Sequence, residues 1–447
     1  MNLKGKKIVV IGMGKTGLAT VRFLGGQGAS VIATDKKPPE KWGAAFEQIA
    51  GENWLTTGNY SADILGEASM VVPSPGVPPA NEILQAAARN KIPILSEVEL
   101  AYRFIKVPIL AVTGTNGKTT TTTLLGEILT GAGKKVFVGG NIGNPLIDFA
   151  GTNQDADFVV AEISSFQLQW IEKFRAFVAV LLNITCDHVN YHGSFDEYRR
   201  IKARVFENQT KQDFAVLNAE DREQKSIASS ICAQVAEFSS IKELPVGIFI
   251  KGSNIIFRNP AFEEEKYPLD MIKIPGLHNM ENVMAAVMTA RFCGCSRRSI
   301  IDITSGFSGL PHRIEFAGEK KSVRYYDDSK GTNVGSVIRA LDTFSAPVIL
   351  LLGGRDKDGD FQNLKPLLVG KARQVILFGE ARDRIEFLIG KSVPTVKEPT
   401  LLAAIERAHE NASAGDVVLL SPGCASFDEF NNYKERGNFF KQVVRNL

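Results

Sequence analysis

The sequence predicts an α/β protein of three domains, each built on a largely parallel sheet. Three observations carry this. The chain has 447 residues, more than one hydrophobic core accommodates. Short apolar strands, Gly-rich turns and helix-patterned stretches alternate along its length. The alternation restarts after "KIPILSEVELAYRF" and again after "GFSGLPHRIE", which sets expected domains at residues 1–96, 97–310 and 311–447.

Composition narrows the class. Apolar residues at 44% and charged residues at 23% describe an ordinary globular chain, and a net charge of +3 gives no basic footprint for nucleic acid. The five cysteines form no C-x-x-C pair, so reduced thiols and a cytoplasmic location are expected. No stretch approaches the roughly 18 apolar residues of a membrane span, and no membrane insertion is expected. The opening "MNLKGKKIVVIGMGKTG" has too short an apolar run for a signal peptide and reads as a first strand.

In the first domain, strand "KIVVI" runs into Gly12, Gly14 and Gly17 in a G-x-G-x-x-G turn that opens a helix. Asp35 ends the next strand, "SVIATD". This Rossmann-like unit fits a diphosphate at the turn and a sugar hydroxyl on the carboxylate. Taken alone it suggests an NAD-dependent dehydrogenase, although the pattern does not name the nucleotide.

The second domain opens on "PILAVTGTNGKTT". Gly114, Gly117, Lys118 and Thr119 lie between an apolar strand and an apolar helix. In that context backbone N–H groups and the helix N-terminus attract phosphate oxygens, Lys118 reaches the β/γ-phosphates and Thr119 ligates Mg²⁺. The usual loop has a glycine five positions before Gly117; here that residue is Val112. A plain turn with an exposed lysine is the alternative. The threonine run 119–123 is a mediocre helix former, so tertiary contacts must hold the first turn.

Glu162 closes strand "DFVVAE" on the loop's side of the sheet. It suits either a magnesium ligand or an ordinary solvated strand end. His188, just past strand "AVLLNIT", is a candidate ligand or orienting group. Ser194 and Glu197 have capping-box spacing before a helix whose apolar stripe is Phe195, Tyr198, Val205 and Phe206. Lys202 falls within that stripe. Either burial strips its charge and makes it nucleophilic, or it snorkels to water. Farther on, "IPGLHNMENVMAAVMTARFCGC" is a Gly turn leading into a helix.

The third domain, again Rossmann-like, holds "DDSKGTN", "LLLGGRDKDGDF" and "LLSPGCASFDEF" after strands. A parallel sheet would cluster Lys330, Lys357 and Ser426. Ser426 with Glu429 also reads as a capping box, and Cys424 as packing.

Together "TGTNGKTT", "GNIG", "AEISSFQL", "NITCDHVNYH", "GLHNMENVMAA", "LPHR" and "DDSKGTN", in this order, resemble the Mur ligase family, the ATP-dependent amide ligases of cell-wall precursor synthesis. The resemblance runs from about Lys6 to Phe440 and includes the shortened loop, so Val112 ceases to be an anomaly. It implies a central domain like the P-loop ATPases, with ATP, UDP-N-acetylmuramoyl-L-alanine and D-glutamate as substrates. It further implies Mg²⁺ at two sites, with Mn²⁺ an acceptable substitute, and a monomer.

The resemblance also assigns residues. Gly114, Thr115, Asn116, Gly117, Lys118, Thr119 and Thr120 hold the ATP phosphates, with Arg313. Asn279 and Asn282 serve the adenine and Asp328 the ribose. Thr119 and Glu162 bind one magnesium, His188 and Lys202 the second. Lys202 is expected to carry a CO₂-derived carbamate. Lys118, His188, Lys202 and Arg313 are the expected catalytic groups. Lys15, Thr16, Gly17, Asp35, Ser74 and Gly76 contact the uridine diphosphate; Asn141, Ser164, Gln167 and His188 lie toward the muramoyl part. Lys330, Thr332, Lys357, Ser426, Phe427 and Tyr433 form the D-glutamate site. Lys15 adds a charge to the nucleotide turn that the family pattern does not require. A dehydrogenase, a non-catalytic nucleotide-binding regulator and a sister ligase are the competing readings.

Overall fold

The computed structural model describes residues 1–260, 263–356, 358–391 and 393–447. Among them the strands form three sheets, in which Met70–Pro73, Ile109–Thr113, Val178–Leu181, Val348–Gly353 and Val417–Gly423 are buried end to end without alternation. That is the pattern of parallel strands covered by helices on both faces.

The first sheet has four parallel strands in the order Leu55–Thr57, Ser30–Thr34, Lys7–Ile11, Met70–Pro73. The chain leaves Lys7–Ile11 toward one edge and returns on its other side. The Gly12 turn therefore lies at the switch point, where parallel sheets open a crevice.

The second sheet has nine strands, ordered Glu265–Pro268, Asn254–Arg258, Gly247–Lys251, Gln234–Ser239, Phe214–Asn218, Val178–Leu181, Ile109–Thr113, Phe158–Glu162, Val136–Gly140. All pairs are parallel except those of the Gly247–Pro268 edge, which are antiparallel. Ile109–Thr113 lies between Phe158–Glu162 and Val178–Leu181. Three successive crossovers thus bring the carboxyl ends of these neighbours to one place. The third sheet runs Glu315–Lys320, Val323–Asp327, Val417–Gly423, Val348–Gly353, Ala372–Phe378, Thr395–Lys397, with only the first pair antiparallel.

Met1–Met271 with Glu281–Thr304 make one compact unit and carry the first two sheets. Ile272–Met280 with Ser305–Leu447 make the other. No helix among the described residues is long and apolar enough to cross a membrane.

The threonine run behaves as its propensity demands. Helix Lys118–Gly131 buries Thr120, Thr121 and Thr122, so packing holds the turn. Two capping expectations are corrected. The Ser194 Oγ accepts the Glu197 N–H at 3.1 Å, but the Glu197 carboxylate pairs with Arg200 instead of returning to Ser194, so only half the box forms. No helix starts at Ser426. The Glu429 carboxylate accepts the Leu401 N–H, and the next helix, Tyr433–Asn446, is capped by Asn432.

Candidate active site

The loop from Gly114 to Gly117 joins Ile109–Thr113 to helix Lys118–Gly131. It is fastened from the neighbouring strand end. The Thr115 N–H donates to the Asn183 carbonyl at 2.8 Å, and the Asn116 N–H donates to Asn183 Oδ1 at 2.9 Å. The Asn183 amide returns a bond to the Asn116 carbonyl at 3.0 Å. Gly117 has φ +87°, and a Cβ there would lie 2.1 Å from Asn282 Oδ1. Both the backbone and the close approach require glycine.

Two lysines converge on the loop. Lys118 Nζ donates to the Gly114 and Thr115 carbonyls, each at 2.9 Å. Lys202 Nζ donates to the same Gly114 carbonyl at 2.9 Å. Lys202 is 1% exposed, which settles the choice between snorkelling and burial. Burial pushes its ammonium well below the ordinary lysine range; the Lys118 charge adds to this, while Asp187 and Glu162 oppose it. Beneath it lies the ring of Tyr198, its centroid 4.9 Å from Nζ, with the hydroxyl 2.9 Å from Thr115 Oγ1.

Glu162 is buried at the end of its strand. One oxygen accepts the Asn141 amide at 2.6 Å, and the other is buried without a hydrogen-bond partner among the described residues. An orphan carboxylate oxygen beside a phosphate-type loop fits a cation. Thr119 is the second residue of the loop helix. His188 is exposed, opens the short helix Val189–His192 at φ +53°, and packs 4.7 Å from the Phe166 ring.

The residues expected around the uridine diphosphate gather at the Gly12 turn, many of them engaged with one another. The Asp35 carboxylate accepts the Met13 N–H at 2.6 Å and the Lys37 N–H at 2.9 Å. Ser74 Oγ donates to the Gly12 carbonyl at 2.7 Å. A Cβ on Gly17 would overlap that same carbonyl. Thr16 is half-buried on the first turn of helix Lys15–Gly26, and Gly76 is exposed. Lys15 Nζ reaches across to the Gly143 carbonyl at 2.7 Å and Asn144 Oδ1 at 3.1 Å. Ser164 and Gln167 form a complete capping box on helix Ser165–Leu168, so both serve that turn first.

In the other unit, Asp328 is buried and accepts Ser421 Oγ at 2.8 Å. Burial raises its carboxyl to about 7, with Ser421 and the Arg313 charge holding it down and Asp327 pushing it up. Lys330 Nζ lies 4.1 Å over the Tyr433 ring. Ser426 is buried nearby in sequence, Phe427 is exposed, and Thr332 is half-buried. Lys357 lies outside the described residues. Asn279 donates to the Pro275 carbonyl at 2.6 Å. Asn279 and Asn282 share helix Leu277–Phe292 but fall in different compact units.

A pH dependence follows from Asp328. The unfolded chain loses this proton near pH 4, whereas the native state keeps it to about 7. Between these values the native state binds more protons, so stability falls as pH rises. The nucleotide-free Asp328→Asn variant is expected to be more stable than the parent at about pH 8, by up to a few kcal/mol, with the gap closing toward about pH 4. Thermal melts across that range check it.

Several residues escaped the sequence reading. Asn183 follows an apolar strand in "NIT", a signal that was available. Tyr198 registers only as a member of an apolar stripe. Arg436 is 1% exposed and gives its guanidinium to Ser329 Oγ and to the Ser329, Ala425 and Cys424 carbonyls. Its only trace in the sequence is the four-residue spacing to Phe440 and Val444, both buried.

Strand, shortened glycine loop, lysine and threonine at the centre of a parallel sheet define a nucleoside-triphosphate-binding protein. Family comparison makes this specific. Residues 6–96 match the N-terminal domain of the MurD-like Mur ligases, 112–290 the Mur ligase middle domain, and 312–424 the Mur ligase glutamate ligase domain. The chain belongs to the Mur ligase family and is an ATP-dependent amide-forming ligase. A relative from Syntrophus aciditrophicus, named UDP-N-acetylmuramoylalanine–D-glutamate ligase, is 52% identical over 100% of this chain and 99% of its own. One of the same name from Geobacter metallireducens is 44% identical over 100% and 99%. The fold resembles that of a pseudomurein peptide ligase type C from Methanothermus fervidus, with a TM-score of 0.63 at 18% identity, covering 99% of this chain and 100% of that one.

Proposed function

We propose that this chain joins D-glutamate to UDP-N-acetylmuramoyl-L-alanine, at the expense of ATP, as a cytoplasmic monomer in peptidoglycan precursor synthesis. The observation that carries this is the 52% identity, spread over the whole chain, to a relative named for that reaction.

In the reaction the alanyl carboxylate attacks the γ-phosphorus of ATP. The bond to the bridging oxygen breaks and ADP leaves. The amine of D-glutamate attacks the acyl phosphate, loses a proton, and phosphate departs. Two anions must meet in the first step, so positive charge from Lys118 and Arg313 lowers the barrier. The acyl phosphate must be shielded from water.

Thr119 and Glu162 would hold one Mg²⁺, and His188 with a carbamylated Lys202 the second. The orphan oxygen of Glu162 and the suppressed charge of Lys202 support this reading. The metal, when bound, offsets phosphate charge. A neutral Lys202 amine adds CO₂ and releases a proton, which turns a costly buried cation into an anionic ligand. Asn279, Asn282 and Asp328 are assigned to the nucleoside. Lys15, Thr16, Gly17, Asp35, Ser74 and Gly76 are assigned to the uridine diphosphate, and Asn141, Ser164 and Gln167 to the muramoyl part. Lys330, Thr332, Lys357, Ser426, Phe427 and Tyr433 are assigned to D-glutamate.

The test is phosphate release from ATP and Mg²⁺ with UDP-N-acetylmuramoyl-L-alanine, trying D-glutamate, L-glutamate, L-alanine, L-lysine and diaminopimelate in turn. Release that needs D-glutamate is expected. Release with another amino acid would move the chain to a sister ligase.

A further inference from the structure

Glu97 belongs to none of the motifs assigned above, yet it is 1% exposed and lies where two modules meet inside the first compact unit. The segment before it belongs to the first sheet. The Val71 N–H donates to the Pro93 carbonyl at 2.9 Å, and the Leu95 N–H donates to the Val71 carbonyl at 3.0 Å. The next residue crosses over. The Ser96 N–H donates to the Trp170 carbonyl at 2.9 Å, and Ser96 Oγ caps helix Glu97–Tyr102. Glu97 follows as the first residue of that helix.

Its carboxylate meets two segments there. Oε1 accepts the Ile147 N–H at 2.7 Å, at the start of helix Leu146–Ala150. That helix follows the Asn141–Pro145 loop directly. Burial raises the Glu97 carboxyl to about 7, with the Ile147 and Leu146 N–H groups and the Gln167 amide beside it opposing that shift and Asp148 adding to it. Gln167 in turn accepts from the Ser164 N–H and Oγ, each at 2.9 Å. The two segments meet again at the far end, where Asn141 donates to Glu162. Glu97 therefore fastens the Asn141 loop at its root and lies against Gln167 of the Ser164 turn, from a stretch of chain hydrogen-bonded to the strand that ends at Pro73, next to Ser74.

We infer that Glu97 is a positioning residue for the UDP-linked substrate: it sets the Asn141 and Ser164 loops relative to the Gly12–Ser74 crevice. A carboxylate suits this role because Oε1 is fixed by the Ile147 N–H while Oε2 is a buried acceptor without a hydrogen-bond partner among the described residues, and a buried acceptor holds only where its surroundings are fixed. The Glu97 carboxylate meets the Asn141 and Ser164 segments and reaches the ATP side only through the Asn141–Glu162 contact, so the effect should fall mainly on the UDP-linked substrate. The inference rests on the proposed reaction for its choice of ligand.

The experiment compares the parent with Glu97→Ala and Glu97→Gln. KM is measured separately for UDP-N-acetylmuramoyl-L-alanine and for ATP, with thermal melts alongside. Glu97→Ala is expected to raise KM for the UDP-substrate about tenfold, through loss of a buried hydrogen bond, and to leave KM for ATP within about twofold. Glu97→Gln keeps an acceptor for Ile147 but turns a donor toward Gln167, so it should recover part of the loss. Equal rises in both KM values, or a lower melting point with both KM values unchanged, would overturn the inference. If Glu97→Ala does not fold, the Gln variant decides alone: an unchanged KM for the UDP-substrate refutes the role. Failure of the functional reading is distinguishable, because the parent enzyme itself would then release no D-glutamate-dependent phosphate.

Discussion

Lys202→Ala is expected to lower kcat by about 10²–10³ while KM for ATP changes little, the scale of losing one preorganised electrostatic group. The argument starts from burial. A lysine that is 1% exposed and repelled by Lys118 is poorly placed to keep a proton, even with the Gly114 carbonyl 2.9 Å away to accept from it. A neutral amine is what reacts with CO₂, and the product is an anion beside the expected metal. Lys202→Arg should not restore activity, because guanidinium stays charged and forms no carbamate. Activity should also fall in CO₂-depleted buffer and return with bicarbonate. Fully active enzyme whose intact mass shows an unmodified Lys202 would sink the carbamate, and the alanine variant would then report only the lost amine.

Much of this arrangement was legible in the sequence, for physical reasons. A glycine turn after a buried strand must bend sharply, and Gly117 does so at φ +87° against Asn282. A lysine at helical spacing within aromatic neighbours must be buried or stretched, and Lys202 is buried. Other residues were illegible because their partners are remote in the chain. Arg436 finds acceptors at Ser329 and Cys424, which no local pattern links to it. The spacing of Asp35 suggests a sugar ligand and gives no sign that its carboxylate also holds the Met13 and Lys37 N–H groups. The capping box that Ser164 and Gln167 complete is likewise additional to the substrate role the resemblance implies for them. For Asp35, Ser164 and Gln167 a backbone donor left unpaired by a turn or a helix end engages the side chain, a partner that spacing alone does not reveal.

Lys118→Ala should cost the most, about 10³ or more in kcat, because it acts on two groups at once. Its ammonium is the charge expected at the β/γ-phosphates. Held between the Gly114 and Thr115 carbonyls, it is also a cation that drives Lys202 toward the neutral form. Its removal lets Lys202 regain a proton more readily and so disfavours the carbamate. The two lysines share the Gly114 carbonyl, so their substitutions should not add. The double variant is expected to lose less than the product of the single losses, by the margin typical of contacting residues, about 0.5–3 kcal/mol. Measuring kcat for the parent, both single variants and the double variant decides this. Strict additivity would mean that Lys118 serves the phosphates alone and that the chemistry at Lys202 is set by burial without it.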